Sequence, residues 1–422
     1  DMLPFRFTCS PVRMYMFGTH LSQAPVPLGC TKDRFWTLAH FEYAKYTFKV
    51  KAKHDYFVYG EVSKYHTNVT RNSYRMNPHT TYVVRNRETG EFDIIEKPRY
   101  VSHHNNFCFE YVENEEIKRN RLKKDGLLHK GDVISQSPSI GPDGRWRPGF
   151  LAKSVSTSSP YSAEDGYEVS DVFCDAMTTL GYGRIAFTVP DDHYLLHVVG
   201  KGADARPLPG PGEYIRKDGL LAAMRRHDDI LDGVMMSPSS MEEIDFFFDE
   251  KIYIESYCRE AMVVDIEVHR NENNVTAMQP YCPDGTGEPT DAISRHAEAL
   301  RDYYGRILDQ YEKILKDCKR DGRTPTFSPE FTHLIWLAEG IAGRFPGQPG
   351  KVDTVPYIGR NEELSGTHII ITYVYKVRAG IGTKVTGTSG NKGVICKINK
   401  QHEMPTDRFG NIADVVLSLI HI

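Results

Sequence analysis

Residues 384–398 read KVTGTSGNKGVICKI, and the rest of the chain is read outward from this stretch. Two lysines, Lys384 and Lys392, stand eight positions apart. Between them lie glycines and small hydroxyls, and residues of strand type follow at once. Gly387, Gly390 and Gly393 let the backbone take positive φ and approach a ligand closely. Thr386, Thr388, Ser389 and Asn391 are small hydrogen-bonding residues. The lysines are long cations that suit phosphate oxygens as point charges. These features point to an anion, a phosphodiester or a triphosphate. A nucleotide phosphate-binding loop, G-x-x-x-x-G-K-[ST] between strand and helix, is excluded, because Gly393 follows Lys392 and a strand-like run comes next. Taken alone, the stretch is equally a glycine-rich hairpin with solvated lysines.

The surrounding charge sharpens this. The 422 residues carry a net charge of −4, with 40% apolar and 26% charged side chains. That is ordinary globular composition, and a free-standing nucleic-acid binder would be basic. Yet Ile371 to Lys400 holds six basic residues (Lys376, Arg378, Lys384, Lys392, Lys397, Lys400) and no acidic one. The eight cysteines show no zinc spacing, and no apolar run is long enough to span a bilayer.

Most of the first 270 residues read as strands. "YTFKVKAK", "YFVYGEVSKY" and "TYVVRN" alternate apolar with polar, while "RETGEFDI" and "KKDGLLHKGDVI" carry hairpin turn dipeptides. The period then changes. Ile293, Ala297, Leu300, Tyr304, Ile307, Tyr311, Ile314 and Cys318 fall at steps of three and four, the face of a helix from Asp291 to Arg320. Thr290 and Asp291 can cap it. A second helix is expected from Pro329 to about Gly343, making the two either a protruding arm or a packing element. Strands resume with "THIIITYVYKV". The fold class is therefore mainly β with an α-helical insert (α+β), a β-barrel interrupted by an inserted module.

"VRAGIGTKVTGTSGNKGVICKI" followed by "MPTDRFGNIADVVL" resembles the β subunit of multisubunit DNA-directed RNA polymerases, with its G-D-K-x-x-G-R-H-G-N-K-G-V and M-P-x-D-x-x-G-x-x-x-D-I-V-L strings. The lysine spacing matches, as does the order Met404, Pro405, Asp407, Gly410, Asp414, Val416. Further similarities run in family order: "SPVRMYMFGTHLSQAPVPL", "HKGDVISQSPSIGPDGRWRPGFLAKSV", "GYEVSDVF", "PGEYIRKDGLLAAMR" and "AMVVDIEVH".

The resemblance implies a double-psi β-barrel core interrupted by a flap module. Residues 1–204 would form the hybrid-binding region and the first part of the barrel. Residues 205–290 would be a flap-like insert, 291–350 the helical pair, and 351–416 the second barrel part with the lysine loop. It implies nucleotidyl transfer with two Mg²⁺ ions held mainly by a β′-type partner, whose three-aspartate loop this chain lacks. Lys384 and Lys392 would lie along the RNA 3′ end and the incoming nucleoside triphosphate. Arg13 would contact the triphosphate, Gln23 the RNA–DNA hybrid, and Gly390, Asn391 and Lys397 nucleic acid. Asp171 would support the second metal. The implied partners are β′, an N-terminal β half if the subunit is split, template DNA, the transcript, and a sigma-like or phage initiation factor at the flap. No membrane is involved, and the implied setting is a bacterial host cytoplasm or a virion.

The departures have weight. Ser170 replaces a family Glu before Asp171, with Glu168 nearby on the same strand face. Thr388 and Ser389 replace Arg-His, and Thr19 and Ser22 replace an Asn and an Arg. They keep open a non-catalytic scaffold that binds protein partners. A single-chain polymerase on the same barrel is a third reading. The start at Asp1, just upstream of the Arg13 segment, implies that the N-terminal lobe and protrusion of an intact β are lost by truncation or encoded in a second gene; a split β resembles that of large bacteriophages, with a divergent cellular enzyme as the alternative source. The final "LSLIHI" translates CTGTCTCTTATACACATC, which resembles a transposase-based sequencing adaptor end, so residues 417–422 are expected to be a sequencing artefact.

Overall fold

The computed structural model describes residues 10–28, 44–45, 47–64, 75–102, 106–141, 143–147, 149–157, 159–162, 164–190, 192–200, 206–226, 250–258, 260–270, 292–342, 366–387 and 390–418. The helical pair forms where the three–four spacing put it, over Ala292–Arg320 and Pro329–Ala342. Of the expected face, Tyr304, Ile307 and Ile314 are buried, Tyr311 and Cys318 are partly so, and Tyr303 and Leu308 widen the stripe. They meet Phe331, Leu334 and Ile335 of the second helix and Val62, Val83 and Phe92 of the sheet beneath. The pair is thus a packing element. Inside that contact the Tyr303 hydroxyl and Thr81 Oγ1 lie 2.8 Å apart, so a buried polar pair is satisfied. The expected caps, Thr290 and Asp291, lie outside the described residues.

That sheet has eight strands, all antiparallel, in the order Met262–Arg270, Thr367–Val377, Thr179–Val189, Phe107–Glu110, Phe92–Ser102, Arg75–Asn86, Tyr56–Lys64, Leu127–Leu128. Thr367–Val377 is nearly continuous in apolar residues because both its faces are covered. Ile369, Ile371, Tyr373 and Tyr375 enter a core with Leu221 and Val263, while Val374 enters another with Tyr100 and Leu180. "RETGEFDI" closes the expected hairpin, with Arg85 opposite Phe92 and Gly90 at φ 74°.

"KKDGLLHKGDVI" does not. Leu127–Leu128 pairs with Tyr56 and Phe57, whereas Val133–Gln136 joins Lys49–Lys51 and Val112–Glu113 in a separate three-stranded sheet. Asp125 turns the chain at φ 64°, but the two arms feed different sheets. A second departure from the strand reading is a helix, Pro11–Gln23. Ser10 Oγ accepts the Arg13 N–H at 3.4 Å and Pro11 opens the first turn, a cap-and-proline start.

A five-stranded mixed sheet carries the opening stretch. Its order is Lys384–Thr386, Lys392–Asn399, Gly166–Ser170, Val415–Leu417, Ser154–Ser156. Two chain segments, 154–170 and 384–417, build it, with the paired strands Thr179–Val189 and Thr367–Val377 and both long helices between them in sequence. Gly166–Ser170 runs parallel to Lys392–Asn399 and antiparallel to Val415–Leu417. Tyr167, Val169, Phe173, Cys174, Ile395 and Val415 form its core. Leu417 packs on that core and pairs with Tyr167 and Ser156, so the sheet includes the first of the six terminal residues; residues 419–422 lie outside the described set.

Of the expected 205–290 insert, Leu220–Arg226 pairs with Glu250–Tyr253 on one side and with His193–Leu195 on the other, and Met262–Arg270 joins the eight-stranded sheet. Residues 227–249 and 271–291 lie outside the described set. The protein is mainly β with a few helices. Among the described residues five cysteines are free, and no helix is long and apolar enough to cross a membrane.

Candidate functional site

The lysine stretch is a hairpin whose register fixes its faces. Lys384 lies opposite Val394, Val385 opposite Gly393, and Thr386 opposite Lys392. Side chains alternate along a strand, and opposed residues share a face. Lys384, Thr386 and Lys392 therefore stand together on the exposed face, while Gly393 is buried and Val385 packs on the core. The two lysines are diagonal neighbours, with β-carbons roughly 7–8 Å apart. Among the described residues neither pairs with a carboxylate.

The glycines serve close approach more than positive φ. Gly390 alone of the three takes it, at 74°. A β-carbon there would strike the Arg13 carbonyl oxygen, so glycine lets the first helix seat against the loop. Arg13 Nη1 then donates to the Gly390 carbonyl at 3.3 Å. A β-carbon at Gly393 would enter the Tyr167 ring. Two expected anion donors are engaged by hydrogen bonds within the protein instead. Asn391 Nδ2 donates to the Tyr167 hydroxyl at 2.9 Å, and Thr386 Oγ1 donates to the Asn391 carbonyl at 2.8 Å. Thr388 and Ser389 lie outside the described residues.

One residue was not singled out from the sequence. His20 Nδ1 lies 3.3 Å from Thr386 Oγ1, over the lysine-bearing face. Burial first, and then the Lys392 cation, push its pKa below the ordinary histidine value. Its signal was present. Arg13, Phe17 and His20 follow helical spacing, so once Pro11–Gln23 is a helix His20 shares the face that meets the loop. Gln23 ends that helix, exposed and about 15 Å along it from Arg13.

The other end of the Lys392–Asn399 strand is neutralised. The Asp171 carboxylate meets Lys400 Nζ at 3.2 Å and accepts the Gln401 and Val172 N–H groups, each at 3.0 Å. Lys400 first, then these amides, hold Asp171 below the usual carboxylate range. Arg378 Nε donates to Asp175 Oδ1 at 2.5 Å. Lys397 Nζ lies 4.0 Å from Glu168 and 4.6 Å from the Tyr161 ring centroid. Glu168, 7% exposed, also accepts from Ser159 Oγ and from Asn399 Nδ2. Ser170, where a carboxylate was expected, caps the Asp171–Ala176 helix by accepting the Phe173 N–H at 3.1 Å.

The structure thus brings Arg13, Lys384, Gly390, Asn391 and Lys392 together. It sets Asp171 apart, roughly 25 Å down the strand beside Lys400.

Residues 342–420 match the family described as RNA polymerase Rpb2, domain 6. Over those residues the chain is DNA-directed RNA polymerase β-subunit-like, and the match contains the whole hairpin. No curated protein matches the chain.

Proposed function

We propose that this chain is the part of an RNA polymerase β-type subunit that presents a cationic face to the RNA 3′ end and the incoming nucleoside triphosphate. The observation that carries the reading is the pair of un-neutralised lysines, Lys384 and Lys392, on one exposed hairpin face. That face lies inside the segment similar to Rpb2 domain 6. In nucleotidyl transfer the RNA 3′ hydroxyl attacks the α-phosphate in line, and charge grows on the phosphoryl and leaving oxygens. Fixed cations orient the triphosphate and stabilise that charge. Arg13, seated against the loop, adds a third cation toward the triphosphate. Gln23 extends the surface toward the hybrid, and Gly390, Asn391 and Lys397 are the further nucleic-acid contacts of the reading.

In this reading the five-stranded sheet is the double-psi barrel. The strands around residues 206–226 and 250–270 are the base of a flap that receives an initiation factor. A β′-type partner completes the centre and carries Mg²⁺, the ion that would stabilise the leaving group. Asp171 does not fit a metal as it stands, because Lys400 and two backbone amides already hold its carboxylate. The split, phage-type origin rests on the sequence resemblance alone. The scaffold reading draws on the same geometry, since Ser170 and the Lys400-bound Asp171 leave that end of the strand without a free carboxylate.

Purified complex with the β′-type partner separates the two. The Lys384→Ala, Lys392→Ala double variant is expected to assemble normally and lose elongation. Normal elongation by that variant would overturn the catalytic reading in favour of the scaffold.

A further inference from the structure

His20 lies against Thr386 on the cationic face yet is not among the residues that carry the family resemblance. Thr386 lies on the same face as both lysines, directly opposite Lys392. The Thr386 hydroxyl donates to the Asn391 carbonyl at 2.8 Å. With its proton committed there, its oxygen is left to accept from His20 Nδ1 at 3.3 Å. Nδ1 thus carries the proton in the neutral ring, and Nε2 is left as the site that gains or loses one. We propose that His20 is a further, proton-gated phosphate ligand of this face, taking up a proton at Nε2 when a phosphate group settles between it and Lys392. The inference rests on the phosphate-binding reading above and adds to it a coupled proton.

The physical argument is linkage. Without a ligand, burial first and then the Lys392 cation disfavour imidazolium. Lys392 faces it from the hairpin, Lys384 shares that face, and Arg13 lies on its own helix. Glu164 and Asp165 line a cleft together with Lys392, Asn391 and Tyr167. A phosphate brings at least one negative charge into the same space and reverses the balance, so anion binding and ring protonation favour each other. At neutral pH the resting face then carries the two lysines and Arg13 without the imidazolium. The imidazolium charge appears only with the ligand, which limits repulsion among cations in the empty state.

The test is histidine ring NMR of the full chain, with the His20 signal assigned by its loss in His20→Gln. Two probes are titrated separately, UTP and a short oligouridylate, to tell a free triphosphate from a phosphodiester backbone. In the unliganded protein His20 should titrate below the usual histidine value. Saturation with the probe that fits should raise it by about one unit. His20→Gln, which keeps a side-chain donor for Thr386, should bind that probe several-fold more weakly at pH 6 than wild type and nearly as well at pH 8. A probe that binds through Lys392 with no movement of the His20 titration overturns the proton-gated role and leaves the phosphate-binding reading intact. Binding indifferent to Lys384→Ala and Lys392→Ala, or absent with both probes, overturns both.

Discussion

The two ends of the Lys392–Asn399 strand carry the same kind of residue and treat it oppositely. At its start, Lys392 and its diagonal neighbour Lys384 stand on an exposed face with no carboxylate partner among the described residues. At its finish, Lys397 lies near Glu168, Lys400 holds Asp171, and Arg378 holds Asp175. The basic run looks uniform in sequence. In the fold, the acids of residues 168–175 lie beside its C-terminal half and leave the hairpin end positive. Local potential is therefore decided by which strand lies alongside, not by the count of lysines.

The strongest way to break the comparison is to remove what both ends share. Gly393→Val should drive a side chain into the Tyr167 ring and cost about 3 kcal/mol, read as a lowered denaturant midpoint. If the variant is as stable as wild type, the Tyr167–hairpin packing is wrong. A smaller effect should touch the open end alone. Gly390→Ala forces a β-carbon onto the Arg13 carbonyl at positive φ and should destabilise by about 1–2 kcal/mol. Phosphate binding should weaken with it, while the Asp171–Lys400 pair stays intact.

A third change sharpens the contrast without disturbing the fold. Removing Lys392 should lower the slope of log affinity for single-stranded RNA against log salt by about 0.7, whereas Lys400→Ala should leave that slope unchanged. Equal effects from the two would erase the distinction between the ends. The smallest effect is expected from Asp171→Asn. The Asp171 pKa is depressed by Lys400, so its contribution to stability is present above the unfolded value of about 3.9. It is lost as pH falls through the lower folded value. An acid unfolding profile should therefore lose a component in the variant, and high salt should blunt the difference because the pair is partly exposed.

The parts of this molecule legible in its sequence are those written in local spacing. The three–four pattern from Ile293 to Cys318 gave a helix within one residue of its observed start. Alternation gave Tyr56–Lys64 and the Thr81–Asn86 half of Arg75–Asn86, and the Gly-Thr content of residues 384–393 gave the hairpin. What failed was non-local. The turn at Asp125 is encoded, but nothing nearby in sequence says that its arms enter different sheets. The neutralisation of Lys400 by Asp171 depends on a parallel register between segments more than two hundred positions apart, which no local pattern specifies. The Pro11–Gln23 helix was overlooked although Ser10 and Pro11 announced it, and His20 was lost with it.

The same parallel register sets a timetable for the chain as it is made. Gly166–Ser170 is buried at every residue, and both of its neighbours, Lys392–Asn399 and Val415–Leu417, are synthesised far later. At roughly 5–20 residues per second, this strand waits on the order of tens of seconds before either neighbour leaves the ribosome. Through that interval its amide and carbonyl edges and the apolar side chains of Tyr167 and Val169 have no native cover from those two strands. The lysine hairpin is followed by Val415–Leu417, the strand that joins Gly166–Ser170 to Ser154–Ser156, so the phosphate-facing surface is made shortly before the sheet is completed.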